Sequence, residues 1–294
     1  MNASLTSASK SNGRIAWPES PSLKQYFSLP YSIMYYMAMN PSTPEVYNKL
    51  IQTCKYFFER NPILVVSRRD ERNICAEIEC DRFRGKSCCI EYEINKIKSK
   101  FWLTRELRAE FDSNINFNSL LSKIFRCEID KLEIWHKNIL FDDFKYLASL
   151  AKSVDLVDLQ MVNSDEKVVM LEKILESIQN IENFECTCSV VTNATVKNIL
   201  NLKNLANLKS IFLYRIPQVI EVKDLSRFIE EFKHTKIFLH FVDNLIEEYK
   251  NQLDALVDIV IKSNVPNRVI EYYGQDEENL IEMQIRFEDY ISFY

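Results

Sequence analysis

The chain has 294 residues, of which 47% are hydrophobic and 27% charged, and its 37 Lys and Arg against 42 Asp and Glu leave a net charge of -5. That length suggests two ordinary domains or one elongated array, and the acidic balance argues against a general nucleic-acid binder, whose footprint is basic. Only three glycines occur, Gly13, Gly85 and Gly274, too few and too scattered for a phosphate loop or a dinucleotide fingerprint, and the three histidines form no metal motif.

Residues 1–22, rich in Ser, Asn and Ala, read as a disordered tail. They contain no apolar leader core, and the longest apolar stretch, Ile33 to Met39, falls far short of the ~20 residues of a membrane helix. The eight cysteines therefore read as reduced thiols of an intracellular protein, cytoplasmic and open to the nucleus as well. Residues 23–62 read as a helical hairpin. Ile33, Met34 and Met37 share one face, Pro41 and Pro44 interrupt the helix, and Tyr47, Leu50, Ile51, Cys54 and Phe58 resume it before Asn61-Pro62. Residues 63–112 read as a strand-containing linker region. Ile74, Ala76 and Ile78 alternate with polar residues, as do Ile90, Tyr92 and Ile94, with a turn over Asp81 to Lys86 between them and a further apolar patch from Phe101 to Leu103.

Residues 113–294 carry an internal repeat. The apolar-x-apolar pairs Leu132/Ile134, Val157/Leu159, Phe184/Cys186, Ile211/Leu213, Ile237/Leu239 and Ile270/Tyr272 follow one another at 25, 27, 27, 26 and 33 residues. Helical faces lie between them: Phe144, Leu147 and Ala151; Val168, Leu171, Leu175 and Ile178, with Asn163 and Glu166 resembling a capping box; Leu225, Phe228, Ile229 and Phe232; and a longer one from Ile246 to Val260. One strand and one helix per unit, stacked, bury a core that no single unit can bury. A period near 26 lies in the leucine-rich-repeat range. The expected fold is α/β, an irregular leucine-rich-repeat-like solenoid of parallel strands and helices with a C-terminal cap, preceded by a small all-α module. A doubly wound α/β domain is the alternative.

Residues 27–60 resemble an F-box, through Leu29-Pro30, the Ile33-Met34 pair, Val46, Leu50 and the Cys54-Lys55-Tyr56-Phe57 stretch. Together with the repeats, the layout is similar to the F-box-like and leucine-rich-repeat-like proteins expanded in nematodes. Two features depart from that pattern. Asn138 and Asn163 sit four residues after their strand pairs rather than three, and the Pro41–Pro44 insert interrupts the F-box-like segment. The resemblance implies a substrate receptor of a Skp–cullin–F-box ubiquitin ligase, a monomer outside its complex, without catalysis, cofactor or metal of its own. Its adaptor face would involve Leu29, Pro30, Ile33, Leu50 and Cys54. A non-ligase scaffold with the same repeats, or an unrecognised α/β enzyme, are the other readings.

The target would lie on the strand residues that face away from the core: Glu133, Trp135, Asp158, Gln160, Glu185, Phe212, Tyr214, Phe238, His240 and Tyr273. The first units offer carboxylates and the later ones aromatics, which fits a protein target with a basic segment and an apolar anchor. The C-terminal tail, with Leu280, Ile281, Ile285, Phe287, Ile291 and Phe293, could instead cap the aromatics. Cys75, Cys80, Cys88 and Cys89 lack the paired spacing of a zinc knuckle, and neither nucleic acid nor a membrane is expected as a partner.

Overall fold

A computed structural model of the chain describes residues 26, 28–69, 73–75, 89–91, 93–110, 117–136, 138–188, 190–263 and 265–287. The tail expected over 1–22 and the turn expected over Asp81 to Lys86 lie outside the described residues.

The N-terminal hairpin is built from three helices, α1 (Tyr31–Met39), α2 (Pro44–Thr53) and α3 (Lys55–Arg60). Pro44 sits in the first turn of α2, where its missing N–H costs nothing, and the Thr43 hydroxyl accepts from Val46 N–H. The second expected helix divides at Cys54, whose backbone is extended while its Sγ accepts from Tyr56 N–H at 3.3 Å. One buried tyrosine ties the helices to the strands. Tyr47 Oη donates to Asn61 O at 2.6 Å and accepts from Ile63 N–H at 3.1 Å, and its ring packs with Ile63 and Trp102.

The rest of the chain supplies β1 (Ile63–Arg69), β2 (Asn73–Cys75), β3 (Cys89–Glu91), β4 (Lys100–Glu110), α4 (Phe117–Leu121), β5 (Ile124–Cys127), β6 (Lys131–Trp135), β7 (Asn138–Leu140), α5 (Phe141–Ala148), β8 (Ser153–Val157) and β9 (Gln160–Val162). Beyond these come α6 (Leu171–Glu176), β10 (Asn183–Thr187), α7 (Thr195–Leu200), β11 (Ser210–Ile216), α8 (Val222–Glu231), β12 (Lys236–Phe241), α9 (Glu247–Ser263), β13 (Arg268–Glu271) and α10 (Glu277–Ile285). Eleven strands form one open, mostly parallel sheet in the order β13-β12-β11-β10-β8-β6-β4-β1-β2-β3, with β5 also on β4, and β7 pairs β9 in a small second sheet. From β4 to β13 the main-sheet strands follow chain order, and α6, α7, α8, α9 and α10 each touch the next in sequence. The stretch read as a linker contributes β1 to β4, and β4, eleven residues long, lies between β1 and β6. Ile94 opens a 3-10 turn rather than extending a strand.

Alternation puts Leu132, Ile134, Val154, Leu156, Phe184, Cys186, Ile211, Leu213, Ile237 and Leu239 into one buried core with the helices. Two strand assignments change. The second unit pairs through Val154 and Leu156, not Val157 and Leu159, because Val154 aligns with both Leu132 and Phe184. In the last unit Ile270, not its successor Tyr272, aligns with Leu239. The expected capping box at Asn163 and Glu166 is instead a turn, with Glu166 left-handed at φ 63° and α6 beginning only at Leu171.

Successive strand–helix segments are latched by side chains bonded to the carbonyls of the segment before. Asn204 Nδ2 donates to Leu175 O and Ile178 O, Thr235 Oγ1 to Leu208 O at 2.8 Å, and Tyr249 Oη to Ile220 O at 2.6 Å. The buried Arg268 guanidinium donates to Phe232 O at 2.7 Å and to Thr235 O. At the strand starts, backbone bonds join Asp130, Lys152, Glu182 and Lys209 in order, so the charges alternate from unit to unit. Lys152 pairs Asp130 at 3.3 Å and Lys209 pairs Glu182 at 2.5 Å.

Candidate recognition surfaces

On the sheet face opposite the core, register aligns Arg108, Glu133, Asp155, Glu185, Phe212, Phe238 and Val269 in a single row. Adjacent strands lie about 4.8 Å apart, so three carboxylates stand side by side. Glu133 is tolerated because both nearby cations serve it. Lys131 Nζ contacts Oε1, and Arg108 Nε lies 3.3 Å from Oε2. It is only 6% exposed, which removes it from the open target surface expected of it. Trp135 Nε1 donates to Asp155 Oδ2 at 3.2 Å, and the Arg108 guanidinium lies 4.1 Å from the Trp135 ring centroid. Burial, then the charge of Glu185, pushes Asp155 up to about 7, against the hydrogen bond from Trp135. Burial also raises Glu185, partly offset by a hydrogen bond from Tyr214. A cavity of about 150 Å³ opens in this part of the face, with Lys131, Asp155, Glu185, Ser153, Ser210 and Phe212 among its lining residues. Ser210 Oγ donates to Asn183 Oδ1 at 2.8 Å.

The aromatic half of the row is occupied by the chain itself. Phe287, just past α10, lies 5.9 Å from the Phe212 ring and 6.5 Å from that of Phe238. The Tyr214 ring lies tilted beside those of Phe238 and His240, with centroids at 5.3 and 6.3 Å. Phe238 is consequently buried, so it is part of a capped core rather than a bare anchor site. Of the expected cap residues, Ile281 and Ile285 remain exposed, Leu280 packs partly against the core, Phe287 does the covering, and Ile291 and Phe293 lie outside the described residues.

Three of the expected target residues leave the face altogether. The three-residue shift in the second unit carries Asp158 past the end of β8, where it is left-handed at φ 45°, and Gln160 into β9; Asp155 takes their place. Tyr273 lies past β13 and is 72% exposed, with Lys250 Nζ 5.7 Å from its ring centroid. Asp158 joins a rim at the carboxyl ends of the strands, where His136 and Arg215 are also left-handed. Its carboxylate lies 3.8 Å from His136 Nδ1 and 3.6 Å from Arg215 Nη1, and Arg215 N–H points to His240 Nδ1 at 3.5 Å. Asp155 and Arg108 were missed by the sequence reading, whereas Phe287 is one of the tail residues expected to cover the aromatics and does so.

The second surface is the helical hairpin. Helix α1, YSIMYYMAM, has no charged residue. Met34 and Ala38 turn inward with Cys54 and Phe57, while Leu29, Tyr31, Ile33, Tyr35, Tyr36 and Val46 are all exposed. Pro30 precedes α1 and is exposed with them. Leu50 and Cys54, expected on the docking face, pack against the inner cluster instead.

Among the described residues, Cys54, Cys75, Cys127, Cys186 and Cys188 are buried thiols, no group of metal-ligating side chains gathers, and no helix is long and apolar enough to cross a membrane. Burial pushes the Cys127 and Cys188 thiols up to about 12, far from a reactive thiolate. In comparisons with known proteins, no family model and no curated protein matches the chain.

Proposed function

We propose that the chain is a protein-recognition subunit, an F-box-like module followed by an irregular leucine-rich-repeat-like solenoid. In this reading α1 docks a Skp-type adaptor of a cullin ubiquitin ligase in the cytoplasm or nucleus, and the sheet face holds the target without chemistry of its own. The observation that carries it is the outer face of α1. Six large apolar side chains, from Leu29 to Val46, are exposed on and beside a helix with no charge, and such a patch on a folded protein marks an interaction site. The main-sheet strand order supports the repeat half of the reading from β4 to β13, where successive strands lie side by side in chain order; the sheet's reversal, between β1 and β4, falls in the stretch ahead of the repeats.

The test is a pull-down of the full chain with a Skp-type adaptor beside Leu29→Asp/Ile33→Asp, with folding checked by circular dichroism. Both positions are exposed, so the variant keeps its fold and loses the adaptor. Failure of the parent chain to bind sinks the ligase reading. The inward packing of Leu50 and Cys54 then favours the second reading, a repeat-based scaffold whose hairpin is structural.

A further inference from the structure

We infer that the loops leading into α8, α9 and α10 form a docking ridge for a cationic amphipathic helix of another protein. This rests on the target-recognition half of the reading above and places the target's anchor at the carboxyl end of the sheet. One large apolar residue stands out in each of three successive strand-to-helix loops. Val219 lies between β11 and α8, Ile246 between β12 and α9, and Tyr273 between β13 and α10, and they are 45%, 55% and 72% exposed. The three strands are adjacent in the sheet, and the loops touch in order. Ile246 N–H donates to Gln218 Oε1 at 3.2 Å, and Lys250, in the first turn of α9, places its Nζ 5.7 Å from the Tyr273 ring centroid. Single exposed apolar residues are ordinary, but a line of them across neighbouring loops marks an interaction site.

The charge around the ridge selects the occupant. Residues 217–221, 242–248 and 273–278 hold seven carboxylates and no Lys, Arg or His, in a chain whose acids and bases stand at 42 to 37. All seven carboxylates are exposed. Glu221 lies 3.8 Å from Lys197, and Asp276 caps α10 through Asn279 N–H. Among the described residues, Glu247, Glu248, Glu277 and Glu278 form no ion pair. Acidic first turns also suit the dipoles of α9 and α10, but that does not require the apolar side chains beside them to face solvent. Lys250 over Tyr273 shows from within the chain how a cation seats on this ridge. A nucleic acid or an anionic membrane would be repelled, and a second copy of this acidic chain would bring like charge to like. A free amine or metal ion would leave the apolar line uncovered. Packed helices lie about 8–10 Å apart, so three loops span roughly 20 Å, the length of about 13 residues of helix. A helix of that length with an apolar stripe and Lys or Arg beside it meets both features.

The test uses the full chain and a fluorescently labelled Leu/Lys peptide of about 14 residues, patterned as an amphipathic helix, with binding followed by anisotropy at low and at physiological ionic strength. The same pattern with Glu for Lys, and with Ser for Leu, separates charge from apolar contact. Saturable binding of the Leu/Lys peptide alone, weaker at the higher salt and at least about ten-fold weaker in Val219→Ser/Ile246→Ser, is the expected result. Glu247→Gln/Glu248→Gln should weaken binding and reduce its salt dependence. All four positions are exposed, so the variants keep the fold, which circular dichroism checks. Leu29→Asp/Ile33→Asp should bind the peptide as the parent does. No saturable binding, an equal response to the Glu or the Ser peptide, unchanged affinity in the ridge variant, or an equal loss in the α1 variant overturns the inference. Adaptor docking is read on α1 by a separate pull-down, so failure of the ridge and failure of the ligase reading are distinguishable.

Discussion

Asp155 is the residue whose chemistry can be followed most directly. Its carboxyl titrates near 7 in the folded chain against an ordinary value of 3.8. Between those values the folded state holds a proton that the unfolded chain releases, so stability falls as pH rises from about 4 to 7. Glu185 is shifted in the same direction and adds to the slope. Asp155→Asn should therefore flatten, without abolishing, the decline in stability across that window, and urea unfolding at pH 5 and pH 8 measures it. An unchanged slope would mean that Asp155 is not held protonated. Arg268 presents the opposite case, a buried cation bonded to backbone carbonyls, whose burial lowers it to about 10. It is retained because its guanidinium satisfies Phe232 O and Thr235 O where α8 hands over to β12. Arg268→Met keeps much of the volume and strands those carbonyls, so it should cost about 3 kcal/mol in denaturant unfolding.

At the scale of elements, Phe287 closes the aromatic half of the sheet face. Phe287→Ala should cost about 3 kcal/mol, and should raise binding of a hydrophobic dye by uncovering Phe212 and Phe238. Loss of stability without dye binding would place the residue's role elsewhere. At the other end of the chain, Thr43 caps α2, and Thr43→Ala should lower stability by about 1 kcal/mol. Much of this layer was legible from alternation. The strands around Phe184, Ile211 and Ile237 read correctly because their core-side pairs recur at 27 and 26 residues and stay in one register. The second unit did not, since Val154-Asp-Leu156-Val157-Asp-Leu159 contains two such pairs three residues apart, and only the neighbouring strands decide between them. Strand β1 was missed because Ile63 to Val66 is a continuous apolar run with no alternation to read. The row that builds the cavity depends on register across four strands, which no local pattern encodes.

For the whole molecule, the decisive feature is that the main-sheet strands from the expected linker onward belong to one sheet and the hairpin is bonded to it. Here the sequence boundary at residue 62 falls in the middle of a buried contact: Asn61 Nδ2 donates to Ala38 O on one side, while Tyr47 Oη reaches both Asn61 and Ile63 on the other. Trp102, in β4, packs on the same tyrosine, so the contact joins α2, β1 and β4 at once. Tyr47→Phe preserves the ring and removes only the hydroxyl, leaving a buried carbonyl and a buried N–H without that partner. The expected cost is about 2 kcal/mol. Because the hairpin and the sheet share this contact, that loss should appear as a lower midpoint of one cooperative transition, followed in parallel by tryptophan fluorescence from the sheet and by far-ultraviolet circular dichroism. If the two probes separate in the variant or in the parent chain, the hairpin unfolds on its own. A partner held at α1 would then not be rigidly positioned relative to the sheet face. If they coincide, a partner held at α1 is rigidly positioned relative to whatever occupies the face beside Asp155.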